Sequence, residues 1–160
     1  MSTESKLSPE SKPARRVCSV ADALSIVGER HALLIVREIG YGNNRFQQIA
    51  ARTGAPRDVV SARLKKLEDA GVLERQLYSE RPARFEYVLT DAGRELEPIL
   101  LALKEWGDRY INANAEPVVF QHTCGATFHP VTVCSACNEP VQQGELLVIG
   151  GTDAVPGERR

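Results

Sequence analysis

Cysteine and histidine carry the most reactive chemistry in this 160-residue chain, and most of them sit close together near the C-terminus. His122-x-Cys124 is followed by Cys134-x-x-Cys137, so one short region holds three of the four cysteines and two of the three histidines. A Cys-x-x-Cys turn presents two thiolates at a spacing that suits tetrahedral Zn²⁺. His122 and Cys124 would complete a Cys₃His set, with His129 competing for the fourth place. A region so short has little core of its own, and a bound metal would supply the missing stability. Two other readings stay open: a redox disulfide, either Cys134 with Cys137 or one involving Cys124, and cysteines that do neither. The remaining cysteine, Cys18, follows Arg15 and Arg16 at the expected start of a helix. The positive helix end and the neighbouring cations favour a reactive thiolate there. The plainer alternative is a small packed residue without chemistry.

Arginine and lysine form the second group. The net charge is −1, which by itself argues weakly against a polyanionic partner. The charge is unevenly spread, however. Between Arg45 and Arg84 the basic residues Arg45, Arg52, Arg57, Arg63, Lys65, Lys66, Arg75, Arg81 and Arg84 outnumber five acids, and beyond Glu86 the acids dominate. Local asymmetry of this kind selects partners more than the total does.

These side chains need a frame, and the apolar pattern supplies one. Helices are expected over 18–28 (Val20, Ala21, Leu24, Val27) and 30–39, the second too densely apolar for a one-sided stripe and therefore central and buried. Tyr41-Gly-Asn-Asn reads as a turn, Arg45-Phe46 as a very short strand, and 46–52 as a short helix. Thr53-Gly-Ala-Pro is the turn before a helix over 56–70, with Pro56 at its first position and Gly71 as its stop. Val60, Leu64 and Leu67 share the inner face of that helix, leaving Asp58, Ser61, Ala62, Lys65 and Asp69 on the other. Strands over 72–78 and 85–90 form a hairpin whose turn, 79–83, holds Pro82 and is flanked by arginine. Thr90 or Asp91 caps a long helix to about residue 112, with a kink or restart at Pro98. Its stripe Leu96, Ile99, Leu100, Leu103, Trp106 and Tyr110 is a candidate homodimer surface.

The predicted class is therefore α+β: a winged helix-turn-helix over 17–114 with a long C-terminal dimerisation helix, then a small β-rich, zinc-competent tail over 115–149. Flanks 1–16 and 150–160 read as disordered. The N-terminus lacks the apolar run of a secretory signal, and no window approaches a membrane span, so a cytoplasmic protein without membrane partners is expected. No P-loop, GxGxxG or Ser/His/Asp set is present, so the chain reads as a non-enzyme. On this frame the first exposed residues of the 56–70 helix, Arg57, Asp58, Ser61 and Ala62, would face base edges of double-stranded DNA. Arg57 suits guanine O6 and N7. Lys65 and Lys66 suit phosphates, and Arg81 and Arg84 suit phosphate or minor-groove contact. Arg63, nearer the buried face, is equally suited to an internal acid. Each such charge is equally at home solvated; it is the set that points to DNA. Two competing functions are a thiol oxidoreductase using Cys134-x-x-Cys137, disfavoured because no βαβ pattern surrounds it, and a winged-helix module that assembles proteins without touching DNA.

Residues 18–110 resemble the HxlR-type winged helix-turn-helix transcriptional regulators. The resemblance rests on CSVADAL from Cys18, GERHALLIVREI from Gly28, Arg45-Phe46, RLKKLEDAGVLER from Arg63, EYVLTDAGREL from Glu86, and Trp106. His31 departs from it, since the family usually has Trp there, and the Cys/His tail is carried by only some members. The resemblance implies a homodimer, acting as a repressor on an imperfect inverted repeat near the gene it controls. It also implies a sensing role for Cys18 toward electrophiles or oxidants, with a small molecule as the alternative effector.

Overall fold

Helix α2 (Arg30–Gly40) is the axis of the fold, and the sequence explains why. Ala32, Ile35, Val36 and Ile39 are all buried, and Leu33 and Leu34 half-buried, so the helix has almost no face for solvent. The structure, a computed structural model, describes residues 18–112 and 116–149. The flanks expected to be disordered, 1–16 and 150–160, lie outside them. Against α2 pack α1 (Ser19–Val27), α3 (Phe46–Thr53), α4 (Arg57–Asp69), α6 (Glu97–Tyr110) and the second strand of the hairpin formed by β1 (Leu73–Glu80) and β2 (Ala83–Leu89); β1 also meets α4, and α5 (Asp91–Arg94) lies on β2. One apolar cluster joins the four buried residues of α2 to Ile49 of α3, Ala55, Val60, Leu64 and Leu67 of α4, Val72 and Leu73. Leaving these residues in water would cost roughly 1.5–3 kcal/mol for each large side chain, which is what holds the three-helix body together.

Several boundaries differ from expectation for identifiable reasons. Arg45-Phe46 is no strand: Arg45 is the N-cap of α3, its N–H donating to Gln48 Oε1 at 3.1 Å, and Phe46 is already helical. Pro56 is the N-cap of α4 rather than its first residue, with ψ of 146° still extended. Gly54 (φ +64°) and Gly71 (φ +71°) adopt the left-handed backbone that ends α3 and α4, a conformation costly for other residues. The strands pair antiparallel from Leu73↔Leu89 to Glu80↔Ala83, with an irregularity between Leu77 and Ser79, and reach further toward the tip than the sequence pattern indicated.

The expected long C-terminal helix is two helices. Thr90 Oγ1 accepts from Gly93 N–H at 3.2 Å and donates to the Gly71 carbonyl at 2.6 Å, so the cap of α5 is also its anchor to the hairpin base. The chain then restarts at Glu97, with Pro98 in the first turn of α6, where a missing N–H is harmless. The region 116–149 is less regular than β-rich composition suggested. Its described residues form two turns, each closed by an isolated bridge, Gln121↔Thr127 and Val133↔Pro140, and no named strand. Most of it is exposed, and without a core to pack against, β-forming residue types do not assemble a sheet.

Candidate nucleic-acid interface

The first turns of α4 are open to solvent. Arg57, Asp58, Ser61, Ala62 and Lys65 are all exposed, while Val60, Leu64 and Leu67 on the opposite face fix the helix against α2. The Arg57 guanidinium lies over the Phe46 ring of α3, 4.9 Å from its centroid, so this side chain is stacked rather than loose. Lys65 pairs with Asp69 one turn on, at 3.1 Å; such an exposed i,i+4 contact is weak and exchangeable for a phosphate.

Lys66 and Arg63 behave differently. Both engage Glu29, the N-cap residue of α2: Lys66 Nζ at 2.8 Å, and Arg63 through Nη2. The Lys66 hydrogen bond, opposed by some desolvation and aided by the charge of Arg63, holds the Glu29 carboxyl below its ordinary range. Arg63 thus takes the internal acid partner that its position allowed. Lys66, half-buried, is bonded to Glu29 beside α2, whereas the sequence pattern placed it toward phosphates.

The hairpin carries the remaining cations. Arg81 at the turn and Arg84 on β2 are exposed. Sequence reasoning did not single out Arg45, whose guanidinium stacks on Tyr78 at 4.5 Å and so bridges α3 to the hairpin, or Arg75, over Phe85 at 4.5 Å. The available signal was an aromatic on each strand facing a basic residue elsewhere in the positive stretch. One backbone bond also ties the hairpin to the body: Tyr87 N–H donates to the Asn44 carbonyl at 2.8 Å.

The apolar stripe of α6 splits. Leu96 and Leu100 are half-buried and pack against the core, leaving the outer part of the expected six-residue set more open. Ile99, Leu103, Trp106 and Tyr110 are 51–65% exposed, as are Val20 (68%) and Leu24 (55%) of α1. Trp106 and Tyr110 stack at 5.8 Å between centroids.

The Cys/His set is not gathered into one centre. Among the described residues no group of three or more His, Cys, Asp and Glu is placed to hold a metal ion, so the expected site of His122, Cys124, Cys134 and Cys137 is not assembled. The reason is local: His122 and Cys124 belong to the first bridged turn, Cys134 and Cys137 to the second, and no core draws the turns together. Each turn is nonetheless ordered as a donor pair. Gly125 (φ +90°) donates to the His122 carbonyl at 2.8 Å, and Asn138 (φ 60°) to that of Cys134 at 2.8 Å. The Cys134 thiol is held below its ordinary range by the backbone N–H groups of Ala136 and Cys137, with the Cys137 side chain adding to this. His129, the competing ligand, faces α6 instead, its Nδ1 3.4 Å from Glu105 Oε2. That contact, helped by Arg109, lowers the Glu105 carboxyl. Cys18 is half-buried at the N-cap of α1.

A helix-turn-helix whose second helix opens its polar first turn, Arg57 and Asp58, to solvent, followed by a two-stranded wing with arginines, defines the class of winged helix-turn-helix transcriptional regulators. The chain belongs to the HxlR-like helix-turn-helix family, whose model matches residues 26–115. The uncharacterized HTH-type transcriptional regulator Rv3095 of Mycobacterium tuberculosis is 42% identical over 125 residues, 77% of this chain and 79% of that protein, an alignment longer than the family match. YvaP of Bacillus subtilis, also an uncharacterized HTH-type transcriptional regulator, is 41% identical over 91 residues, 56% of this chain and 84% of that one. Among solved structures, PA1607 superposes with a TM-score of 0.73 at 29% identity, covering 82% of this chain and 93% of its own. The reduced form of the transcriptional regulator YodB from B. subtilis gives 0.53 at 28%, covering 62% and 99%. Among the described residues no helix is long and apolar enough to cross a membrane.

Proposed function

We propose that this regulator is a cytoplasmic, homodimeric repressor that reads an inverted-repeat operator. The observation that carries the reading is the open first turn of α4, with Arg57 stacked on Phe46 and Arg81 and Arg84 on the wing beside it. Arg57, Asp58, Ser61 and Ala62 address base edges, while Lys65, Arg81 and Arg84 address the backbone. The apolar surface left open on Ile99, Leu103, Trp106 and Tyr110 supports a two-fold pairing through α6, with α1 adjoining, so that two α4 helices face one duplex. The placement of every core residue before position 101 supports taking 17–114 as the working unit and 115–149 as an extension.

The test is salt-dependent binding to the palindromic DNA recovered by crosslinking and sequencing. Binding that vanishes in the Arg57→Ala, Arg84→Ala double variant supports the reading. Binding untouched by both changes leaves the wing and helix as an assembly module, and dithiol turnover lost in Cys137→Ser points to an oxidoreductase. Repression, as against activation, is read by transcription from that operator in vitro, and a thiol-reactive signal by loss of binding that Cys18→Ser abolishes.

A second reading concerns the extension and is favoured by its paired turns. Zn²⁺ would take His122 and Cys124 from one turn and Cys134 and Cys137 from the other once the turns approach, acting structurally. Less than about half an equivalent of zinc per chain, in protein never exposed to chelator, would overturn it.

A further inference from the structure

Between the body and the extension lies an open cleft with a cavity volume of about 480 Å³ that none of the proposed DNA-reading residues uses. It is lined by residues of α2, of β2 with α5, of α6, and by Phe120 and Phe128 of the extension. We propose that this cavity binds a small, uncharged aromatic molecule carrying a hydrogen-bond donor.

Size and lining come first. The volume lies in the range of ligand sites, roughly 300–1,000 Å³, and mostly apolar walls with a few polar groups are their usual composition. Val36, Ile39, Leu89 and Leu101 line the deeper part, and Tyr41 and Phe120 form a tilted aromatic pair at its edge, with centroids 6.4 Å apart. Aromatic walls favour a flat ring that meets them edge-to-face or offset.

Charge does not mark the cleft for an ion. Arg37 is bonded to the buried Glu38, through Nε at 3.1 Å and Nη2 at 2.7 Å. Arg94 is paired with Asp91 and donates to the Leu89 carbonyl. His122, also in the lining, accepts from Cys124 N–H through Nδ1. Glu97 has no ion pair among the described residues and repels anions. With the cations engaged and an acid beside them, an uncharged ligand is favoured.

The donor requirement comes from Asn44. Its carbonyl is held by Tyr87 N–H, which fixes the residue in the wall, while its side-chain Oδ1 is shut off from solvent and has no hydrogen-bond partner among the described residues. A buried unsatisfied acceptor costs about 1–3 kcal/mol, and a small turn of the amide brings it to a ligand hydroxyl entering the cavity. The site thus offers apolar surface, aromatic walls and one acceptor in want of a proton donor.

Titration calorimetry on the full chain tests this with three probes of nearly equal shape: naphthol, its methyl ether, and naphthoate. Naphthol is expected to bind one per chain, the ether about tenfold more weakly, as loss of one hydrogen bond predicts, and naphthoate more weakly still. Leu101→Trp, which fills the cavity, should abolish naphthol binding. Because that change also touches the body, Phe120→Ala provides a second variant from the extension, expected to weaken naphthol about tenfold through loss of a ring wall. Asn44→Leu should make naphthol and its ether equivalent. Absence of saturable naphthol binding, equal affinity for naphthol and ether in the unaltered protein, or binding indifferent to both Leu101→Trp and Phe120→Ala overturns the proposal.

Discussion

At the scale of residues, the cations of this molecule separate into those that hold and those that reach. Arg57 and Arg84 reach, by different routes, and should be distinguishable by salt. Arg57→Ala is expected to cost about 1–3 kcal/mol of discrimination at one base pair. Arg84→Ala should instead weaken binding evenly across sequences and flatten the log–log salt slope by about 0.9. Fluorescence anisotropy against operator and scrambled DNA at several salt concentrations measures both. Glu29 belongs to the holding set. Its carboxyl is lowered in the folded chain, so its contribution to stability is fully present above the unfolded value of about 4.3 and is lost as pH falls through the lower folded value. Glu29→Gln should therefore melt earlier than the unaltered protein at neutral pH and converge with it only on acidification below the ordinary carboxylate range; a gap that stays constant on acidification counts against the clamp. Arg63 and Lys66 differ from Lys65 in sequence position by only one or two residues. Which face each side chain took was legible from helical period for Arg63, but Lys66 lies at the boundary of the stripe, and only the position of Glu29, 37 residues earlier, decides it.

At the scale of elements, the hairpin base and α5 form a joint with no slack. A Cβ on Gly93 would lie 2.1 Å from the Val72 carbonyl oxygen and 3.2 Å from Leu89 Cδ2. That carbonyl already accepts from Thr90 N–H at 3.2 Å, so it cannot retreat without breaking the cap that starts α5. Gly93→Ala should accordingly destabilise by about 1–3 kcal/mol, seen as a lowered urea midpoint with an unchanged slope. The helices and the hairpin were legible because their apolar periods are long and clean: Val60, Leu64 and Leu67 mark one helical face, and Phe85, Tyr87 and Leu89 one strand face. Two things were not. The restart of the last helix was signalled by Pro98, but the close seat of Gly93 on Val72, a long-range contact, has no local sequence signal. The extension is β-rich in residue type yet forms only two isolated bridges among its described residues, because Val118, Val119, Val131 and Val133 favour strands only where something covers them, and here they are exposed.

At the scale of the whole molecule, the proposed pairing rests on the outer stripe of α6. Trp106 is 53% exposed and Leu103 51%, large apolar surfaces that a second chain would cover. Leu103→Glu should leave the core untouched and shift the protein from dimer to monomer in light scattering, with operator affinity falling and circular dichroism unchanged; a variant that remains dimeric places the interface elsewhere. The candidate DNA surface was legible in outline, since the basic stretch and the helix-turn-helix period coincide. The cavity was not, because Asn44, Leu101 and Phe120 are far apart in the chain and unremarkable singly. The single bond from Tyr87 to the Asn44 carbonyl has a mechanical consequence. It fastens the wing to the loop that leads into α3, so the wing and the helix-turn-helix are held to one another like the set jaws of a gauge. Such a gauge responds to the width of what lies between its jaws. On the proposed operator reading, two duplexes with identical contacted bases but different groove widths would be unequal partners, and the letters in the uncontacted middle would matter through their stiffness.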